Sequence, residues 1–279
     1  MASQAARLIP FDELTGYTIG ATDGSIGSVD DVYFDDHSWT VRYLVVDTGG
    51  WLSGRKVLVA PVAIESVDRA GERVVTRLTR RQVEASPPID TARPVSRQYE
   101  TQFYGYYGYS PYWGGPYRWG LLPFPDAVPL STSPAAAPPP VSDRVAEEIA
   151  AREREGADPT LRSARAIEGY GIHATDGDLG HVEDYLIDER EWAIRYVIVD
   201  PRNWWPGEHV LVSPEWITAI DWNESRLHVA LSRQAVRDAP PYRPDAVLDR
   251  DYEQALHQHY RRPGYWDRRP EEWRRRPAA

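Results

Sequence analysis

Residues 16–47 read GYTIGATDGSIGSVDDVYFDDHSWTVRYLVVD, and residues 169–200 read GYGIHATDGDLGHVEDYLIDEREWAIRYVIVD. The two stretches align without a gap at a constant offset of 153, and the match continues beyond them. Between 16–90 and 169–243, 30 of 75 positions are identical. Shared residues include Gly16/Gly169, Asp23-Gly24/Asp176-Gly177, Trp39/Trp192, Arg42-Tyr43/Arg195-Tyr196 and Val57-Leu58-Val59/Val210-Leu211-Val212. A period this long marks a repeated domain, because solenoid units run to about 20–50 residues.

Working outward from the repeat, each copy reads as a series of short strands. Tyr17–Ala21 leads into Thr22-Asp23-Gly24, where Asp-Gly supplies the positive φ of a tight hairpin. Ile26–Asp35 follows, then a turn at Asp36-His37-Ser38, then Trp39–Asp47, in which Val41, Tyr43 and Val45 alternate with Thr40, Arg42 and Leu44. Lys56–Ala60, Ala63–Val67 and Arg73–Leu78 complete the set, separated by Pro61 and Ala70-Gly71. Short β-branched runs between closely spaced turns predict a mainly β fold, a sandwich or small barrel. Thr79 is placed to cap a short helix that Pro87-Pro88 stops.

The copies stay aligned past the strands. Ser96 and Asp249 are both good N-caps, and they precede the stripes Tyr99, Phe103, Tyr107 and Tyr252, Leu256, Tyr260, spaced i, i+4, i+8 on one helical face. Each copy is therefore expected to carry an aromatic segment docked on its own body or on its sister. Gly105 and Gly108 weaken the first of these helices, and the Gly/Tyr-rich run 104–119 reads as a partly disordered tail or as an aromatic adhesive. Leu121–Val141, rich in Pro and Ala, reads as an extended linker. A charged helix is expected from Ser142-Asp143 to Glu155. The expected organisation is thus 1–15 N-terminal segment, 16–90 first copy, 91–120 docking segment, 121–168 linker and charged helix, 169–243 second copy and 244–279 C-terminal helix with an Arg-rich tail.

The string Gly16-Tyr17-x-Ile19-x-Ala21-x-Asp23-Gly24-x-Ile26-Gly27-x-Val29-x-Asp31, followed by Trp39-x-Val41-Arg42-Tyr43-x-Val45-Val46-Asp47, resembles the PRC-barrel family. So do its repeat and the later Val57-Leu58-Val59-x-Pro61 and Leu78-Thr79-x-x-x-Val83-x-x-x-Pro87-Pro88. The family is named for the cytoplasmic domain of the photosynthetic reaction-centre H subunit and includes the barrel of a ribosome maturation factor. The resemblance implies two tandem, strongly bent β-barrels used as assembly modules. Fold does not fix function, and neither named role transfers as it stands.

Composition bounds the chemistry. The chain has 279 residues and no Cys, which excludes disulfides, thiolate nucleophiles and Cys metal sites. Its net charge of −10 argues against nucleic-acid binding by the whole surface. The tail is locally basic, with Arg261, Arg262, Arg268, Arg269, Arg274, Arg275 and Arg276. Met1–Pro10 lacks the apolar run of a secretory signal, and no stretch approaches the ~18 apolar residues of a membrane span, so a cytoplasmic location is expected. Asp23, Asp30, Asp31, Asp35 and Asp36 lack Ca²⁺-loop spacing and read as a turn with a solvated face. The seven His read as surface residues, since His257 and His259 point apart on a helix and none is matched between copies. With no nucleophile elbow, P-loop or dinucleotide fingerprint, neither enzyme activity, a metal nor a cofactor is expected.

Tryptophan separates the copies. Trp205, Trp216 and Trp222 stand where the first copy has Leu52, Ala63 and Arg69. Core replacements of this size overpack, which places these Trp at the surface, either as a contact patch or beneath the C-terminal segment. The functional expectation is a non-catalytic scaffold binding an unidentified protein, or itself, through Trp205, Trp216, Trp222 and the aromatic stripes, with the barrels packed about a pseudo-two-fold axis. The alternatives are peripheral binding of RNA or an anionic membrane through the Arg tail, and an H-subunit-like assembly role.

Overall fold

The computed structural model describes residues 7–89, 91, 95–125, 161–201, 209–244 and 248–268. The charged helix expected at 142–155, the linker from 126 on, Trp205, Arg269, Arg274, Arg275 and Arg276 lie outside the described residues. Among those described, no helix is long and apolar enough to cross a membrane. The chain divides into a first unit, Leu14–Ser163, and a second, Met1–Glu13 with Ala164–Ala279.

Fourteen strands are described, and the fold is mainly β. They are β1 (Leu8–Pro10), β2 (Thr18–Ala21), β3 (Gly24–Asp35), β4 (Thr40–Asp47), β5 (Lys56–Val59), β6 (Ile64–Asp68) and β7 (Arg73–Thr76). Then follow β8 (Leu161–Ser163), β9 (Gly171–Ala174), β10 (Gly177–Asp188), β11 (Ala193–Asp200), β12 (Val210–Val212), β13 (Ile217–Asp221) and β14 (Arg226–Val229). In the first unit β3 and β4 form a long antiparallel hairpin with Tyr33 opposite Tyr43. The Asp23-Gly24 turn folds β2 onto β3, and β2 pairs with β7 in parallel, Ile19 opposite Val74. β6 extends β7, and β5 flanks β4. The mixed sheet thus runs β6-β7-β2-β3-β4-β5 and is not closed by a strand pairing between its two ends. Pro61 lies between those ends in a single 3₁₀ turn, Pro61–Ala63, and proline has no N–H to give a ladder.

Every strand of the second unit's β9–β14 series begins at the offset of 153 from its counterpart except β12, which is one residue shorter than β5. Two glycines make the bend possible. Gly27 and Gly180 have φ of 154° and 142°, and a Cβ at either would overlap the carbonyl oxygen of Asp47 or Asp200. The hairpin turn after β3 closes on Trp39 at φ 50°, repeated by Trp192 at φ 53°. Trp39 is seated by stacking on Phe34, with centroids 5.0 Å apart.

Four readings need correction. The segment 1–15 does not stand apart: β1 pairs with β10 in the second unit, Ile9 opposite Ile187. Likewise β8 pairs with β3 in the first unit, Tyr33 opposite Ser163. Three-residue strands carry no readable period, and their partners are remote in sequence. Asp31 is not on a solvated face but buried, accepting hydrogen bonds from the Val32 N–H and the Ser163 hydroxyl. The alternating polar face of β4 is also interior, because Thr40 and Arg42 are buried.

Candidate functional site

The aromatic stripes are the residues the sequence nominates, and both lie on helices. The helices in chain order are α1 (Phe11–Leu14), α2 (Arg80–Glu84), α3 (Arg97–Tyr107), α4 (Ala164–Ile167), α5 (Arg233–Arg237) and α6 (Arg250–His259). The Ser96 hydroxyl accepts the Tyr99 N–H and the Asp249 carboxylate accepts the Tyr252 N–H, so both expected caps form. Gly108, left-handed at φ 70°, ends α3 as its C-cap. Each stripe is turned into its own unit. Phe103 meets the edge of Tyr43 at 5.1 Å, and Tyr99 donates to the Pro87 carbonyl, as Tyr252 does to that of Pro240. Phe103, Tyr107, Leu256 and Tyr260 are buried.

Beneath α3 lies a layer of arginine, aromatic and carboxylate groups. Glu100, 1% exposed, accepts the hydroxyls of Tyr43 at 3.1 Å and Tyr112 at 2.7 Å and pairs with Arg97 at 2.7 Å. Burial raises the Glu100 carboxyl above the ordinary range against the opposing pull of Arg97 and the two hydroxyls. Burial, then the Glu100 charge, drives the Tyr43 hydroxyl well above its usual value. Arg42 lies 3.7 Å from the Tyr112 ring centroid and 5.2 Å from that of Trp119, and donates to the Arg118 carbonyl and Asp35. Arg118 in turn donates to the Ser38 carbonyl and the Thr40 hydroxyl. The Gly/Tyr-rich run packs over its described residues: Tyr112 and Trp119 lie against Arg42 on β4, Trp113 against Arg97, and Tyr104 against Tyr43 and Tyr109. Composition alone hides this, since the cation that Tyr112 and Trp119 share lies far away in sequence.

The second unit repeats the layer. Glu253 accepts Tyr196 and Tyr265 and pairs with Arg250 at 3.1 Å. Arg195 lies 4.1 Å from the Tyr265 ring centroid and donates to Asp188. Burial would raise the Asp188 carboxyl, but Arg195 and the turn N–H groups of Arg190 and Glu191 outweigh it and hold it low. His257 is interior, correcting the surface reading. Its Nε2 lies 3.1 Å from the Tyr196 hydroxyl, its Nδ1 faces the Pro263 carbonyl, and burial lowers its pKa.

Trp216 takes the second of the two placements expected for it, beneath the C-terminal segment. It is 2% exposed, packed on Tyr260 at 4.7 Å and His257 at 5.2 Å. The helix it faces changes with it: His257, whose ring it meets, stands where α3 has Tyr104. Trp222 stays half-buried, its ring edge-on to Tyr170 at 6.4 Å. In the tail, Arg261 and Arg262 are exposed, while Arg268 pairs with Glu215 at 2.7 Å.

The Asp-Gly turns serve the scaffold. Gly24 and Gly177 have φ of 149° and 137°, and Asp23 and Asp176 accept the first N–H of α2 and α5, from Arg80 and Arg233. Among the described residues one acid–histidine group, Asp35, Asp36 and His37, brings its ligand atoms within 4.8 Å. Asp35 is engaged by Arg42 and two turn N–H groups, and Asp36 by Arg162, so their oxygens already bind protein.

A PRC-barrel domain is found at residues 8–83, where the chain matches the family model of that description. No curated protein matches the chain.

Proposed function

We propose that the chain is a non-catalytic assembly protein with two PRC-type barrels, the second formed by the unit that carries residues 164–268. Recurrence of the strand series at one offset, beside the family match at 8–83, supports the duplication. The observation that carries the assembly reading is where the chemistry goes. The buried carboxylates Glu100 and Glu253 are sealed by tyrosines and arginine, and a sealed acid cannot reach a substrate. Each unit also keeps an apolar group outward among its charged residues: Leu121, 69% exposed, on the first, and on the second the half-buried Trp222 beside Tyr170, where the first unit has Arg69. Aromatic anchors of this kind concentrate binding energy at interfaces.

Trp222→Ser combined with Leu121→Ser tests this. Sedimentation and pull-down of the full chain should lose the partner or the oligomer, while the unfolding midpoint moves by less than about 0.5 kcal/mol equivalent. An unchanged profile refutes the role of both residues. The same assay across a salt series separates the second reading, in which exposed Arg261 and Arg262 begin a basic arm for an anionic partner. Binding through that arm falls steeply with salt, whereas apolar burial does not.

A further inference from the structure

The PRC-barrel match begins at residue 8, yet the first strand of that segment, Leu8–Pro10, is paired in the second unit, against Leu186–Asp188 of β10. The strand 153 residues later, Leu161–Ser163, is paired in the first unit, against Tyr33–Asp35 of β3. Each unit thus completes its sheet with a leader that is not contiguous with its other strands. An exchanged leader is the hallmark of a module able to swap between copies, because the same contacts form whichever chain supplies the strand.

The two leaders are not held alike. Ser163 donates its hydroxyl to Asp31 at 2.5 Å, and Arg162 pairs with Asp36 at 2.9 Å. At the matching positions of the other leader stand Pro10 and Ile9, which can make neither contact. β1 is seated instead by burial of Ile9 and Phe11, 0% and 1% exposed. The Phe11 ring meets the Tyr185 edge at 6.2 Å. Hydrogen bonds from the backbone complete the seat: the Glu189 N–H donates to the Arg7 carbonyl, and the Asp12 N–H to the Asp184 carboxylate. Strand addition of this kind takes affinity from the main chain and specificity from alternate side chains.

We propose that the Leu186–Asp188 edge of β10 is a strand-acceptor site whose occupant is exchangeable, so that residues 7–13 of a second copy of the chain seat there and link the copies as strand-swapped oligomers. The site takes an extended peptide with apolar groups at the Ile9 and Phe11 positions. It stands on the strand pairing alone and does not depend on the assembly reading above.

The absence of Cys from the chain makes a disulfide test clean. Pro10 and Leu186 are register partners, and such pairs, with Cα atoms about 4.5–5.5 Å apart, lie within disulfide reach. Full-length Pro10→Cys and Leu186→Cys chains, one carrying a mass tag, are mixed under reduction at high concentration, warmed briefly and oxidised. The mixed disulfide should exceed either homodimer several-fold and should fall when an excess of the synthetic peptide 5–16 is present. A statistical mixture, or no effect of the peptide, overturns the proposal. A second arm needs no variant protein. Fluorescein-labelled peptide 5–16 should bind the wild-type chain saturably, and at least ten-fold less well when it carries Ile9→Asp and Phe11→Asp. Absence of saturable binding, or equal binding of the two peptides, overturns it as well.

Discussion

Glu100 shows how a single residue can organise an element. Its carboxylate receives two tyrosine hydroxyls and an arginine, so three donors from different stretches of chain converge on one acceptor. Removing the acceptor strands the donors, and the cost of a buried, unpartnered polar group exceeds the worth of the bond it made. Glu100→Ala is expected to destabilise the first unit by roughly 2–4 kcal/mol, read as the shift of a urea unfolding transition, while Glu100→Gln, which keeps an acceptor oxygen, costs less than half of that. Equal losses for the two variants would show that packing, not polar satisfaction, is what Glu100 provides. In the sequence this residue is silent: a Glu on the first turn of a helix reads as a favourable surface charge. The residues that were legible are those whose role is local. Gly24 and Gly177 declare a positive φ, and Ser96, Asp249 and Thr79 declare caps, because the group each one satisfies lies within three or four residues of it.

The helices illustrate why burial is harder to read than the elements themselves. The spacing of Tyr99, Phe103 and Tyr107, and of Tyr252, Leu256 and Tyr260, gives two helices and the faces they bury. It says nothing of what those faces meet. Trp216 reads as an overpacked residue only if its surroundings are assumed to match those of Ala63, whereas the helix it meets carries His257, 5.2 Å from its ring, where α3 has Tyr104. The two exchanges should therefore be energetically coupled. Trp216→Ala alone leaves a cavity expected to cost about 3–5 kcal/mol. Adding His257→Tyr restores the residue pair found at these positions in the first unit, Ala63 and Tyr104, and should show a coupling of at least about 1 kcal/mol in a double-mutant cycle. Strict additivity would mean that the two side chains do not share a packing site. The leaders were invisible for the same reason carried further: β1 and β8 are three residues long, and their partners lie more than a hundred residues away.

At the scale of the whole molecule the two units share a strand plan but not their response to pH. Asp184 and Asp31 occupy the same position in β10 and β3, and each carboxylate accepts the following residue's N–H. Asp31 also receives the Ser163 hydroxyl. Asp184 instead faces the leader's Asp12, whose N–H it accepts, with Glu168 close enough to act on it. Burial, with the Asp12 and Glu168 charges adding to it, pushes Asp184 up to about 7, against about 3.9 in an unfolded chain. A folded state that holds its proton more tightly than the unfolded state is favoured while that proton is present. The contribution is therefore complete below pH ~4 and is lost as pH rises toward 7. Asp188 and Asp35 act in the opposite sense: their carboxyls are held low, so their contribution is present above the unfolded value and disappears on acidification. The Asp184 contribution to the second unit should consequently fall away between about pH 4 and pH 7, and the seating of the leader with it, while His257, whose pKa burial lowers, acts in the opposite sense. Hydrogen exchange at the Leu186–Asp188 edge should quicken over that interval by more than the intrinsic chemical rate explains. Asp184→Asn keeps the acceptor oxygen and removes the charge, so it should flatten the profile and leave the edge equally protected at both pH values. Persistence of the full pH dependence in Asp184→Asn would transfer the effect to another group and break the link between this carboxylate and the seating of the leader.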